Sequence, residues 1–151
     1  MIVTDYIKDN TDNAEKEFLE ECLTEAGFNI KQCLYINAVN CNPISIPKKN
    51  EVNNCKLYLN YAIDAFRPIC IIAVGNIAYN SLHEGILNRE HGKIFYLRNN
   101  IPMIGIYSPS MIESIQEEEL ADQMIEEVND DLKKIKKIVE NNYSTSDLVN
   151  N

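Results

Sequence analysis

Residues 67–78 read RPICIIAVGNIA, and this stretch carries the strongest indication of the fold. The continuous apolar run from Ile69 to Val74 is typical of a strand that is buried on both faces. Gly75 follows the run directly, and a short helix is then predicted around Ile77 to Leu82. A buried strand that turns into a helix indicates an α/β protein with a parallel sheet.

The segments on both sides continue this alternation of strands and helices. Upstream, the pattern predicts a strand at Ile2 and Val3, a helix over Asn13–Ala26 that Gly27 ends, a strand over Cys33–Val39, and a helix from the cap residue Asn50 that stops before Pro68. Downstream, it predicts strands over Lys93–Leu97 and Ile101–Tyr107 joined at Asn99 and Asn100, then a last helix from about Ser114 to Glu140. Such an order predicts a parallel sheet covered by helices on both faces.

The candidate site follows from this architecture, because open sheets bind ligands at the carboxyl ends of their strands. Three segments are expected to meet there: Thr4–Ile7, Asn37–Pro43 and Tyr107–Ser110. Asn76, which follows the apolar strand, is expected to join them.

The charge of the chain is unevenly distributed. The net charge is −9, from 23 acidic and 14 basic residues. Nine of the acids and none of the bases lie between Glu113 and Asp131, so the rest of the chain is neutral. This balance excludes a basic protein that coats nucleic acid, but it is compatible with a DNA-binding domain that has one acidic flank. We interpret residues 113–131 as a solvated helix face, with a docking surface for a basic partner protein as the alternative hypothesis.

Several common classes of protein are excluded by features that the sequence lacks. No apolar run approaches the length of a membrane span, and MIVTDYIKDN has no export signal. Five cysteines, an odd number, favour reduced thiols and a cytoplasmic location. There is no C-x-x-C, G-x-G-x-x-G, G-x-x-x-x-G-K or H-E-x-x-H, so zinc ribbons and the common nucleotide-binding and metalloprotease motifs are absent.

Four stretches and a closing motif, in order, resemble a known family. They are LYINAVNCNP (34–43), EVNNCKLYL (51–59), RPICIIAVGNIA (67–78), NIPMIGIYSPS (100–110), and the set Asp131, Leu132 and Ile135. Together they resemble the uracil-DNA glycosylases, in particular the iron–sulfur group and its phage-encoded relatives. The resemblance implies a three-layer α/β/α domain over residues 1–140 with a central, mainly parallel four-stranded sheet. Residues 141–151 are expected to form a polar, disordered tail.

The resemblance also implies roles for individual residues. Asp5 stands where a carboxylate positions water and stabilises the sugar cation, and a turn or helix-capping role for it is weighted equally. Asn37 stands where an amide reads the uracil edge. Ser108 stands where the family has a catalytic histidine, and Ser108 and Ser110 are otherwise expected to cap the helix that follows. The remaining substrate-binding candidates are Tyr6, Asn76, Tyr107 and Ser110.

The chain departs from the family at the positions that carry the chemistry. No aromatic residue in KDNTDN (8–13) replaces the family's stacking loop, and Glu113 stands for an arginine. Asn40 and Asn42 stand for a lysine and an arginine. Losing one donor to the departing base costs about 3 kcal/mol in the transition state. We therefore expect a DNA- or protein-binding module with weakened or lost base excision. An active DNA glycosylase and a binder of free nucleotides or other small molecules are the alternatives.

No cofactor or metal is expected. The family's iron–sulfur cluster takes four cysteines, and only Cys41 and Cys55 match its ligand positions, which is too few for a four-iron cluster. The two histidines, His83 and His91, are expected at the surface or in the core rather than in the site. The expected partners are DNA, bound weakly because of the acidic charge, and a basic protein at residues 113–131, with no membrane.

Overall fold

The computed structural model describes residues 1–6, 13–41 and 45–149, with the backbone alone for residue 13 and for residues 143–149. The strands are β1 (Ile2–Tyr6), β2 (Tyr35–Val39), β3 (Ile71–Val74), β4 (Ile94–Tyr96) and β5 (Pro102–Ile106). The helices are α1 (Asn13–Glu25), α2 (Lys49–Phe66), α3 (Asn76–Leu82), α4 (Leu87–Glu90), α5 (Pro109–Glu113) and α6 (Glu118–Val149). Two 3-10 turns lie at Ile30–Gln32 and Arg98–Asn100.

The five strands form one sheet in the order β2-β1-β3-β5-β4. The first four are parallel, and β4 pairs antiparallel with β5 at the edge. The α/β/α architecture is confirmed, but the expected four-stranded sheet has a fifth member. The reason is the short link through Asn99 and Asn100, both at positive φ, which reverses the chain without a crossover helix.

Helices cover both faces of the sheet, and each face has its own core. The first core joins Ile2 and Ile104 to apolar side chains of α1, α5 and α6. The second joins Val3 and Met103 to side chains of α2, α3 and α4. Because the central parallel strands are buried on both faces, β3 is apolar throughout and all four of its residues are buried.

Element boundaries differ from the sequence expectations at two helices. Helix α2 begins at Lys49 rather than after a cap at Asn50, and the Glu51 carboxylate accepts the backbone N–H of Lys48 at 2.6 Å. The last helix, predicted from about Ser114 to Glu140, is α6, which begins at Glu118 after the separate short helix α5, and its backbone continues beyond Glu140 to Val149. The predicted domain boundary at residue 140 stays a prediction. Within the described part of the chain, no helix is both long and apolar enough to cross a bilayer.

Candidate functional site at the carboxyl ends of the strands

Asp5 lies at the carboxyl end of β1 and contacts the next helix. Its Oδ1 accepts the backbone N–H of Ala78 at 2.8 Å. Ala78 belongs to the first turn of α3, where backbone N–H groups have no partner within the helix. The carboxylate therefore caps a helix that its own strand does not lead into, which is one of the two roles expected for Asp5.

Gly75 permits this approach of Asp5 to the start of α3. The residue has φ +97°, a conformation that side chains with a Cβ rarely adopt. A Cβ at this position would lie 2.5 Å from Asp5 Oδ2. Glycine is thus required twice, by the backbone conformation of the β3–α3 turn and by the carboxylate that packs on it.

Asn37 is held by a hydrogen bond from the neighbouring strand. Thr4 on β1 is in register with Asn37 on β2, and its hydroxyl donates to Asn37 Oδ1 at 2.6 Å. This bond fixes which end of the amide is the oxygen. The amide nitrogen of Asn37 has no hydrogen-bond partner in residues 1–6, 13–41 and 45–149. Thr4, which no sequence motif identified, is therefore an orienting residue for the amide.

The predicted site residues leave the sheet on opposite faces. Side chains alternate along a strand, so Thr4 and Tyr6 lie on one face of β1 and Asp5 on the other. Asn37 shares the face of Thr4, the side of α1, α5 and α6. Asp5 contacts α3 on the opposite side. The side chains of Asp5 and Asn37 thus lie on opposite faces of the sheet, near the carboxyl ends of their strands.

Ser108 and Ser110 begin helix α5. Ser108 is buried, with 7% of its surface exposed, and its Oγ accepts the backbone N–H of Met111 at 3.3 Å. The two hydroxyls lie 3.2 Å apart and share a hydrogen bond. The expected capping role of Ser108 is confirmed by this geometry. Asn76 is exposed and reaches the same helix, since its Nδ2 lies 3.9 Å from Met111 Sδ.

Tyr107 is buried in the first core, with its ring centroid 4.6 Å from that of His91. His91 Nδ1 lies 3.1 Å from Asp131 Oδ2, and its Nε2 lies 3.7 Å from a carboxylate oxygen of Glu127. Burial, helped by the carboxylates of Glu127 and Asp131, raises the pKa of Tyr107. Lys134 completes the cluster with a 3.3 Å ion pair to Asp131.

Sequence reasoning did not identify this polar cluster. His91 and Asp131 are separated by 40 residues, and no periodic pattern marks their contact. The other histidine, His83, stacks on Phe95 with ring centroids 3.9 Å apart. Both rings are half-buried and packed, in agreement with their expected place in the core or at its margin.

The thiols of Cys41 and Cys55 are in contact, with their sulfur atoms 3.8 Å apart. Burial raises the pKa of Cys55, but the backbone N–H groups of Cys41 and Asn40 and the Cys41 thiol outweigh it and hold that pKa below its ordinary value. Across the described ranges, no three His, Cys, Asp or Glu side chains come together as a metal site. Two thiols do not fit a four-iron cluster, which needs four.

The acidic segment is not uniformly solvated. Glu113, Glu118 and Asp122 are exposed, whereas Asp131 is buried with 6% exposure and paired to His91 and Lys134. The segment thus contributes one structural carboxylate and a mostly exposed face of α6. The remaining predicted site positions, Ile7 and residues 42–43, lie outside the described residues, as does most of KDNTDN.

Comparison with known proteins agrees with the architecture. A search of curated proteins finds no match to this chain. The family model of the uracil DNA glycosylase superfamily matches residues 11–133. The matched range contains Asn37, Asn76 and Ser108, and it begins after β1, so that Asp5 and Tyr6 lie outside it. Because the match spans most of the 151 residues, the chain belongs to the uracil DNA glycosylase superfamily.

Proposed function

We propose that this protein binds a base of single-stranded DNA at the carboxyl ends of its strands and that base excision there is weak or lost. The single observation that carries the proposal is the environment of Ser108. This hydroxyl stands where a stronger donor is expected, and it is buried in the cap of α5. The superfamily supports the part of this proposal that places the protein in DNA repair, and a role in replication extends it.

The loss of catalysis rests on the chemistry of the departing base. Cleavage of the glycosidic bond leaves negative charge on the base, which a positioned donor must stabilise. The Ser108 oxygen already accepts from Met111, and its hydroxyl is hydrogen-bonded to that of Ser110, a bond in which either hydroxyl can donate. We expect this arrangement to cost about 3 kcal/mol relative to a dedicated donor, or roughly a hundredfold to a thousandfold in rate.

Asp5 supports the same conclusion. One of its oxygens accepts the Ala78 N–H, which directs the carboxylate at the protein backbone. Its side chain leaves β1 on the face opposite to Asn37. A carboxylate engaged in capping α3 is a weaker candidate for positioning water beneath a sugar bound near Asn37.

Binding itself is supported by Asn37 and Tyr6. Thr4 fixes the amide of Asn37, so the donor end of that amide is already oriented before a ligand arrives. An oriented amide pairs with the edge of a base at low entropic cost. Tyr6 lies on the same face of β1 and is half-buried, so its ring is available to stack on the base.

Binding and base release on uracil-containing single-stranded DNA test the proposal. We expect Asn37→Ala to weaken binding by roughly tenfold, measured by fluorescence anisotropy. Asn54→Ala, an exposed asparagine on α2, is the matched control and is expected to leave binding unchanged. Gel-based cleavage should show release at least about a hundredfold below an active superfamily member. Efficient release that disappears in Asp5→Asn would overturn the proposal.

An active DNA glycosylase is the second candidate, and the Thr4–Asn37 hydrogen bond supports it equally. A preoriented amide is what a base-reading site requires in either case. Efficient release of uracil from DNA by the wild-type chain would indicate the active glycosylase, and weak or absent release would indicate the binding module. Stabilisation by free nucleotides alone in a thermal-shift measurement would contradict both and support the small-molecule alternative.

We extend the proposal to the setting of the protein. The exposed acids of residues 113–131 suit a basic partner protein, and their charge opposes tight binding of phosphate. The many Asn, Lys and Ile residues suit an AT-rich, phage-encoded gene acting in a host cytoplasm. Pull-down with a basic protein, before and after Glu118→Lys and Asp122→Lys, tests the partner surface.

A further inference from the structure

Cys41 and Cys55 form the one pair of contacting thiols in the described residues. Their sulfur atoms lie 3.8 Å apart and share a hydrogen bond. Cys41 follows β2 directly, and Cys55 lies in the second turn of α2. The remaining cysteines do not share this arrangement, since Cys22 and Cys70 are buried in the first core and Cys33 packs against it.

The two thiols differ in access to solvent. Cys41 is exposed, whereas Cys55 is buried with 6% of its surface accessible. A reagent in solution therefore reaches Cys41 first. The buried Cys55 sulfur is in van der Waals contact with Cys41. A disulfide requires the sulfurs to approach to about 2.05 Å, so the side chains must move closer together for the bond to form.

We propose that Cys41 and Cys55 are a reversible oxidation site that forms a disulfide by exchange with a low-molecular-weight disulfide such as oxidised glutathione. In the first step the Cys41 thiolate, its proton lost to solvent, attacks one glutathione sulfur, and the second glutathione leaves as thiolate. In the next step the deprotonated Cys55 sulfur attacks Cys41, and the first glutathione leaves. The two cysteines lose two electrons, and one oxidised glutathione becomes two reduced molecules.

The cross-link ties the end of β2 to α2. It closes the segment between residues 41 and 55 beside the candidate site. Asn40, which precedes Cys41, donates from Nδ2 to the backbone oxygen of Asn37 at 3.2 Å. Oxidation therefore links the residue that follows Asn40 covalently to α2. A cross-link across a loop also restricts the unfolded chain, so the oxidised protein is expected to melt at a higher temperature.

The experiment uses the full chain, reduced and then incubated with oxidised glutathione. We expect the free thiols to fall from five to three, with a Cys41–Cys55 peptide in non-reducing digests, and dithiothreitol to restore all of them. Cys55→Ala should trap glutathione on Cys41, and Cys41→Ser should abolish the cross-link. Cys33→Ser, which changes a half-buried thiol that donates to the backbone oxygen of Asn29, is the matched control and should cross-link as the wild type does.

The digest of the wild-type protein tests for the Cys41–Cys55 disulfide even if a variant fails to fold. Five thiols that persist, or glutathione that remains on Cys41 of the wild type without a cross-link, would overturn the inference. So would oxidation that links any other pair of cysteines. None of these readouts depends on DNA binding or base release, so the oxidation site and the proposed function stand or fall separately.

Discussion

At position 75, both the backbone conformation and the packing of a neighbouring side chain require glycine. Its φ of +97° disfavours any residue with a Cβ, and the carboxylate of Asp5 occupies the space where a Cβ would lie. The β3–α3 turn and the capping of α3 are therefore a single local structure that depends on Asp5 in β1 and on Gly75 between β3 and α3.

We predict that Gly75→Ala destabilises the protein by about 3 kcal/mol, since it combines a strained φ with a clash. Gly27→Ala is the matched control: its φ is +87°, but the nearest atom to the added Cβ, Lys136 Cε, lies at 3.7 Å. We expect it to cost about 1 kcal/mol from backbone strain. Urea unfolding measures both, and equal losses would show that Asp5 does not restrict the turn.

Asp5 gives the second prediction at this scale. Asp5→Ala removes the acceptor for the Ala78 N–H and should cost about 1 kcal/mol of unfolding free energy, as lost helix caps do. Asp5→Asn keeps an acceptor oxygen and should cost only a few tenths. Comparing the two variants by urea unfolding separates the contribution of the acceptor oxygen of Asp5 to stability from that of its negative charge. A loss that is the same for both would indicate that the negative charge is what α3 needs.

At the scale of elements, the joint between α6 and the α4–β4 corner depends on one buried carboxylate. Asp131 lies on α6 and contacts His91 at the end of α4, and Lys134 of α6 donates to the backbone oxygen of Gly92 at 2.7 Å. The ring of Tyr107 at the end of β5 packs on His91. Three elements that are distant in sequence are thereby fixed against one another next to the candidate site.

Asp131→Ala is expected to destabilise the protein by about 2 kcal/mol, because it leaves the half-buried His91 and the Lys134 ammonium without their carboxylate. The adjacent Asp130→Ala is the control, since its side chain is 80% exposed and its ion pair with Lys133 spans 3.9 Å. That variant should change stability by less than about 0.5 kcal/mol. Similar losses in chemical denaturation would contradict a structural role for Asp131.

At the scale of the whole molecule, the fold was more accessible to sequence reasoning than the site. The apolar run at Ile69–Val74, the helix end at Gly27 and the stop before Pro68 are local signals, and the observed elements agree with them within a few residues. The face on which a site residue lies depends instead on register between strands. Thr4 orients Asn37 only because the two are paired, and no motif records that.

Some features of the fold have no clear signal in the local sequence. Helix α4 is four residues long, too short for a periodic pattern to identify. The antiparallel β4 was expected as a strand, but its direction follows from the reversal at Asn99 and Asn100. Contacts such as His91–Asp131 join residues 40 positions apart. Tertiary packing supplies such contacts, and a single stretch of sequence does not show them.

Tyrosines buried across the molecule predict how its stability depends on pH. Burial, with a contribution from Glu20, raises the pKa of Tyr35 to about 12. Burial raises the pKa of Tyr79 and Tyr107 as well, with Glu90 adding to the first and Glu127 and Asp131 to the second. In the unfolded chain a tyrosine has its ordinary pKa of about 10. Each of the three is therefore still neutral in the folded chain at pH values where the unfolded chain already ionises.

The direction in which stability changes with pH follows from the number of protons that the folded and unfolded states bind. Between about pH 10 and pH 12 the folded state holds more protons than the unfolded state, so the stability that the tyrosines contribute is fully present below pH 10 and is lost as pH rises through this window. Burial likewise raises the pKa of the Cys22 thiol to about 11, so a first loss of stability begins near the ordinary cysteine pKa of about 8.5. We therefore expect the urea midpoint to decline from about pH 8.5 and to fall more steeply above about pH 10, where the tyrosines add their contribution. Tyr35→Phe should make that fall shallower, and Tyr61→Phe, at an exposed site, should leave it unchanged. A midpoint that stays constant to about pH 12 would show that these tyrosines are not neutral and buried in the folded chain.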